Sequence, residues 1–172
     1  MRLRLSAAVL LATLAGCVER APPPPPAPPR PTPTPLPPPP PPLAEDWRDW
    51  PLTPGSWVYA RDGRGTRAMF GPTNADALLV LRCDTGERRV YLSRAGAGTA
   101  PLALRTSSTA RSLPVQPTGG AQPYVAASLA PSDPLLDAIA FSRGRFVVEQ
   151  TGAATLVVPV YAEIGRVIED CR

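Results

Sequence analysis

From Ser56 to Leu129 the apolar residues recur at every second position in short runs, the period of a strand with one buried and one wet face. In Arg88 to Ser93, Val90 and Leu92 fall on one side while Arg89 and Tyr91 fall on the other, as in an antiparallel sheet. By the same test Ser56 to Arg61, Thr66 to Phe70, Ala77 to Cys83, Leu102 to Ser107 and Tyr124 to Leu129 read as strands. Asp62-Gly63, Gly71-Pro72, Asp84-Thr85-Gly86 and Gly119-Gly120 punctuate them with residues that enter turns readily. Ser132-Asp133-Pro134 then offers a capped helix start before Leu135 to Phe141. Phe146 to Gln150 and Thr155 to Val160 read as a hairpin closed by Thr151 to Ala154. Finally the period lengthens: Ile164, Val167, Ile168 and Cys171 stand at i, i+3, i+4 and i+7, one face of a helix from Tyr161 to Asp170. Glu163, Arg166, Glu169 and Asp170 take the opposite, polar face. Residues 45–172 should therefore form a mainly β domain, an antiparallel β-sandwich or small barrel, with a short helix and a C-terminal helix packed on the sheet.

Upstream the pattern is different in kind. From Pro22 to Leu43 the chain holds 16 prolines in 22 residues. Proline fixes φ and has no amide donor, so neither helix nor sheet can form there. A polyproline II rod is expected, reaching roughly 70 Å at about 3.1 Å per residue. Its simplest use is as a spacer, the alternative being a ligand for aromatic grooves. Before it, Arg2 and Arg4 head an apolar stretch from Leu5 to Leu14, too short to span a bilayer, which takes about 20 apolar residues.

That segment ends in Leu14-Ala15-Gly16-Cys17, which resembles the lipobox of bacterial prolipoproteins. The resemblance implies that residues 1–16 are a signal peptide, that Cys17 receives a diacylglycerol thioether, and that residues 17–44 tie the domain to a membrane. Val18 stands where an Asp would, in enteric lipoproteins, favour the inner membrane, so the expected place is the outer membrane, facing the periplasm. Two acyl chains hold durably, since each buried methylene contributes roughly 0.8 kcal/mol.

Charge narrows the function classes. The formal net charge of +4 includes Arg2 and Arg4 of the signal. Residues 45–172 hold 14 Arg against 13 Asp and Glu, an excess of one spread in ones and twos. Nucleic acid is therefore not an expected partner. No His and no Lys occur, so Ser-His, Cys-His and Ser-Lys nucleophile pairs cannot be built. No GxSxG, P-loop, GxGxxG or calcium-loop pattern is found, and no metal or other cofactor is expected. Carboxylates alone suffice for glycoside hydrolysis, but no spacing nominates a catalytic pair.

With Cys17 consumed by lipid, Cys83 and Cys171 remain. Both point inward by the periodicities above, and an exported domain would oxidise them to a disulfide. The rival uses are a redox pair or metal ligands, which lack a CxxC spacing and a third ligand. Trp47, Trp50 and Trp57 cluster at the start of the domain; packing competes there with an aromatic contact surface at Trp47 and Trp50. Arg143 and Arg145 flank Gly144 and are candidates for an anion or partner contact, against the plainer reading of a solvated turn. Arg82, Arg88, Arg89 and Arg94 are arranged as a basic strip across a hairpin, offset by Asp84 and Glu87.

The last quarter of the chain, a hairpin and a helix ending in Glu169-Asp170-Cys171-Arg172, resembles disulfide-bearing domains of the invasion-associated locus B type. That resemblance implies a β-sandwich and a role in host contact, although the upstream strands do not follow the family. The leading expectation is a non-enzymatic periplasmic lipoprotein that binds a protein or peptidoglycan at a distance set by the proline segment. An inhibitor of a wall hydrolase such as lysozyme and a carboxylate-dependent wall hydrolase are the alternatives. Oligomeric state and membrane face are left open by the sequence.

Overall fold

The computed structural model describes residues 45–172; the signal segment, Cys17 and the proline-rich stretch lie outside them. Strands β1 (Ser56–Asp62), β2 (Gly65–Gly71), β3 (Leu79–Asp84) and β4 (Arg89–Ala95) form an antiparallel meander. Two residues, Gly63 and Arg64, turn β1 into β2, with Asp62 facing Gly65 across the pair. Gly65 adopts φ +139°, and a Cβ there would collide with the Cys83 carbonyl, so this corner requires glycine. After β4 come β5 (Leu102–Arg105), β6 (Ala110–Leu113), β7 (Gln116–Pro117), β8 (Tyr124–Leu129), α1 (Pro134–Ala140), β9 (Arg145–Glu149), β10 (Leu156–Pro159) and α2 (Ala162–Glu169).

The strands sort into two antiparallel sheets, β1-β2-β3-β4-β8-β7 and β10-β9-β5-β6. Neither closes on itself, so of the two expected architectures the sandwich is the one formed. Alternation decides which residues meet between the sheets. Leu79, Leu81, Val90 and Leu92 from the large sheet share one core with Leu102, Leu104, Phe146, Val148, Leu156 and Val158 from the small one. Helix α2 adds Ile164, Val167 and Ile168, packing on β1, β2 and β3. The small sheet and the helices thus cover the inner face of the large sheet. Its outer face carries half-exposed residues such as Met69, Val80, Tyr91 and Ser93, with Val58 55% exposed.

Helix α1 begins for a local reason, whereas α2 has no side-chain cap at its start. Asp133 caps α1 by accepting from the Leu135 amide at 2.9 Å, with Pro134 at the first helical position. Arg111 on β6 holds the same carboxylate in a bidentate pair at 2.7 and 2.8 Å, tying the cap to the small sheet. On α2 the polar face is less wet than its pattern predicts: Tyr59 of β1 donates to Asp170 at 2.7 Å, and the Arg166 guanidinium stacks 4.0 Å from the Tyr59 ring.

Two segments escape the alternation rule. The expected strand to Ser107 stops at Arg105, because Thr106 turns the chain: its hydroxyl accepts from the Ser108 and Thr109 amides, and its own amide donates to Thr109 O. The strand that follows, β6, buries only Leu113 and so shows no period. Likewise β3 starts at Leu79 and not Ala77. The Ala77 carbonyl is taken by the Tyr124 hydroxyl at 2.6 Å, and Leu78 bonds to Phe70 and Ala95 outside the ladder.

Arg94 departs most from the expected basic strip. It lies on the inward parity of β4, 3% exposed, and donates to the carbonyls of Val148 in β9 and Ala154 in the β9–β10 loop. Burial pushes its pKa down from the usual arginine value. Arg82 points to the other face of the large sheet, so the strip is divided between two sides of one sheet.

Candidate functional site

The outer face of the large sheet holds an open groove of about 600 Å³. Its floor follows from strand register. Tyr91 on β4 stands between Arg82 on β3 and Ser128 on β8. One step along, Ser93 stands between Val80 and Ala126, and Ala126 faces Gln116 on β7. Pro114, Pro117 and Thr118 raise one wall, and Arg64 from the β1–β2 turn stands at the other. The proline wall is stiff, and Thr118 is pinned by its amide to the Tyr124 carbonyl at 2.9 Å.

The two arginines that line the groove are both paired with carboxylates, and Arg67 shares Asp62 at 3.3 Å. Arg82 grips Asp62 through both guanidinium nitrogens, at 2.6 and 3.0 Å. Arg64 pairs with Asp84 at 2.6 and 2.8 Å. These contacts hold both carboxyls below the usual carboxylate range, Asp62 chiefly through Arg82, Asp84 chiefly through the Glu87 amide and then Arg64. A general acid needs the opposite shift. The Tyr91 hydroxyl donates to Glu87, which raises the phenol's pKa and fixes the ring in place.

Asp133 and Asp170 are lowered as well, by Arg111 and by the Tyr59 hydroxyl respectively. A carboxyl whose pKa is lower folded than unfolded stabilises the fold above its unfolded value, and that stability is lost as pH falls through the folded value. With no His to titrate near neutrality, the melting temperature should be level from about pH 8 to about pH 5 and fall below about pH 4. Thermal melts monitored by circular dichroism across that range check the profile.

The residues singled out from sequence are placed elsewhere. Trp47 is 7% exposed and packs on Val147 and Val157, the outward side of the small sheet, with Trp50 beside it half-buried. Its ring is a packing element, leaving no free face for a partner. Thr53 continues the same segment along β10, its amide donating to Val157 O and its hydroxyl accepting from the Val157 amide, both at 2.9 Å, which closes that sheet edge. Trp57 is buried against Phe70 and donates through its indole to Pro159 O at 2.8 Å.

Arg145 spends its guanidinium on the Trp50 carbonyl, while Arg143 is exposed in a separate depression with Ser107, Pro134 and Phe141. The two arginines do not line one site. Cys83 and Cys171 form a disulfide with Cα atoms 5.4 Å apart, joining β3 to the end of α2. Among the described residues no cluster of three potential metal ligands occurs, and no helix is long and apolar enough to cross a membrane.

The groove itself went unnoticed in the sequence. Alternation turned Tyr91 outward, but nothing in the chain announced that β8 and β7 would flank β4 after a detour through the other sheet. Comparison with family models, characterised proteins and solved structures finds no match to this chain.

Proposed function

We propose that this protein is a lipid-anchored envelope protein whose folded part binds the cell wall, or a protein seated on it, through the groove on the large sheet. The observation that carries the reading is the placement of that groove. The chain enters the fold along the outward side of the small sheet, where Trp47 is clamped, and the groove lies on the opposite side of the sandwich. The first described residues thus pack on one face and leave the groove on the other open to meet a surface. The Leu14-Ala15-Gly16-Cys17 run supplies the anchor and the proline segment supplies reach.

The site is built for binding and not for turnover. Two of its carboxylates, Asp62 and Asp84, are held ionised by Arg82 and Arg64, which suits a binding surface better than an acid catalyst. Purified full-length protein in detergent should sediment with peptidoglycan sacculi and stay in the supernatant without them. If it stays in the supernatant with sacculi present and cross-links to no envelope protein in cells, the reading fails.

A further inference from the structure

We infer that the groove takes an uncharged stretch of glycan, the sugar backbone of a wall polymer, laid across Tyr91. The inference rests on the wall-binding reading above and names its ligand. Three features of the lining select this chemistry. First, the groove offers no free charge: its cations, Arg64 and Arg82, already face Asp84 and Asp62. A ligand carrying carboxylates or amines would compete with those pairs, whereas a neutral one leaves them intact.

Second, the polar groups along the lining are hydroxyls and an amide, on Ser93, Thr118, Gln116 and on Ser128, which also meets the Tyr91 hydroxyl. Each can donate and accept, which matches a sugar that presents both along its rim. Third, Tyr91 is held by Glu87 so that its ring is fixed, and a fixed aromatic face is a platform for the apolar side of a pyranose. The opposite wall is apolar and rigid at Pro114 and Pro117. A peptide partner is disfavoured there, because a strand adding to this edge needs backbone amides that two prolines cannot supply. The groove is open and not enclosed, so a segment within a long chain can enter without a free end.

The probe is a short uncharged oligomer of N-acetylglucosamine, titrated into detergent-solubilised full-length protein by calorimetry. Saturable binding is expected, weakened about tenfold or more in Tyr91→Ala and abolished in Ser128→Trp, whose exposed position places an indole in the groove without disturbing the core. Tyr161→Ala, an exposed aromatic outside the groove, should bind as the parent does. Should Tyr91→Ala prove unfolded, Ser128→Trp still decides. If the oligomer fails to bind while sacculi still sediment the parent and not Ser128→Trp, the groove reads wall peptide; the glycan inference is then wrong and the wall-binding reading survives. If neither sacculi nor oligomer binds, both fall. Equal binding by Ser128→Trp and the parent would place the glycan elsewhere and overturn the inference.

Discussion

Cys171→Ser should lower the unfolding free energy by roughly 4 to 5 kcal/mol, the largest stability loss expected of any single substitution outside the buried core. The disulfide closes a loop spanning a sequence separation of 88, and in the chain-entropy account the unfolded state gains that freedom back when the link is removed. The loss falls on a particular element. Helix α2 ends the chain, and without the bond it is held by Ile164, Val167 and Ile168 and by the Tyr59–Asp170 contact. Urea unfolding of parent and variant, with the parent repeated under reductant, checks the size: reduction should reproduce the substitution. Tyr59→Phe provides the scale: it removes the hydrogen bond to the Asp170 carboxylate, for which about 1.5 to 3 kcal/mol is usual, together with an exposed one accepted from Arg61. A disulfide effect smaller than that of Tyr59→Phe would mean that the helix is held by its packing and the Tyr59–Asp170 contact more than by the covalent link.

Cys17→Ala should move the protein wholly out of the membrane fraction while leaving the folded part unchanged. Under the proposed function the acyl chains on Cys17 supply the membrane affinity, and among the described residues no helix is long and apolar enough to cross a bilayer. The two outcomes separate cleanly. If the variant still pellets with membranes after a high-salt wash, attachment does not depend on lipid at Cys17. If it is released but melts many degrees lower, Cys17 belongs to the scaffold. The account requires release with the melting temperature unchanged.

How much of this was legible in the chain depended on whether a segment buries one face. Strands β1 to β5 and β8 and helix α2 show their period because Trp57, Leu81, Leu92, Val125 and Ile164 must turn away from water, whereas β9 and β10, buried on both faces, show only as short apolar runs. The disulfide followed from the same parity, Cys83 in step with Leu79 and Leu81 and Cys171 in step with Ile164 and Ile168. Where a strand buries little, as in β6 and β7, the sequence carried no signal and the hairpin at Thr106 was lost.

Charged residues misled in a related way. Arg94 read as surface because Arg usually is, yet it reaches across the core to two carbonyls. Arg143 and Arg145 read as a pair because they are neighbours in sequence, but one of them serves the backbone at Trp50. The groove depends on β4, β8 and β7 lying side by side, with β5 and β6 inserted between them in sequence and placed in the other sheet. Such pairing is a property of the assembled sandwich, and no local pattern encodes it.

The proposed function depends on lipid at Cys17, which would bring the groove within reach of the wall. Mass spectrometry of the N-terminal peptide from membrane-extracted protein tests it most directly. The predicted peptide begins at Cys17 and carries a diacylglycerol on its sulfur. A peptide in which Cys17 is an unmodified thiol, or a mature chain that begins at any other residue, would contradict it.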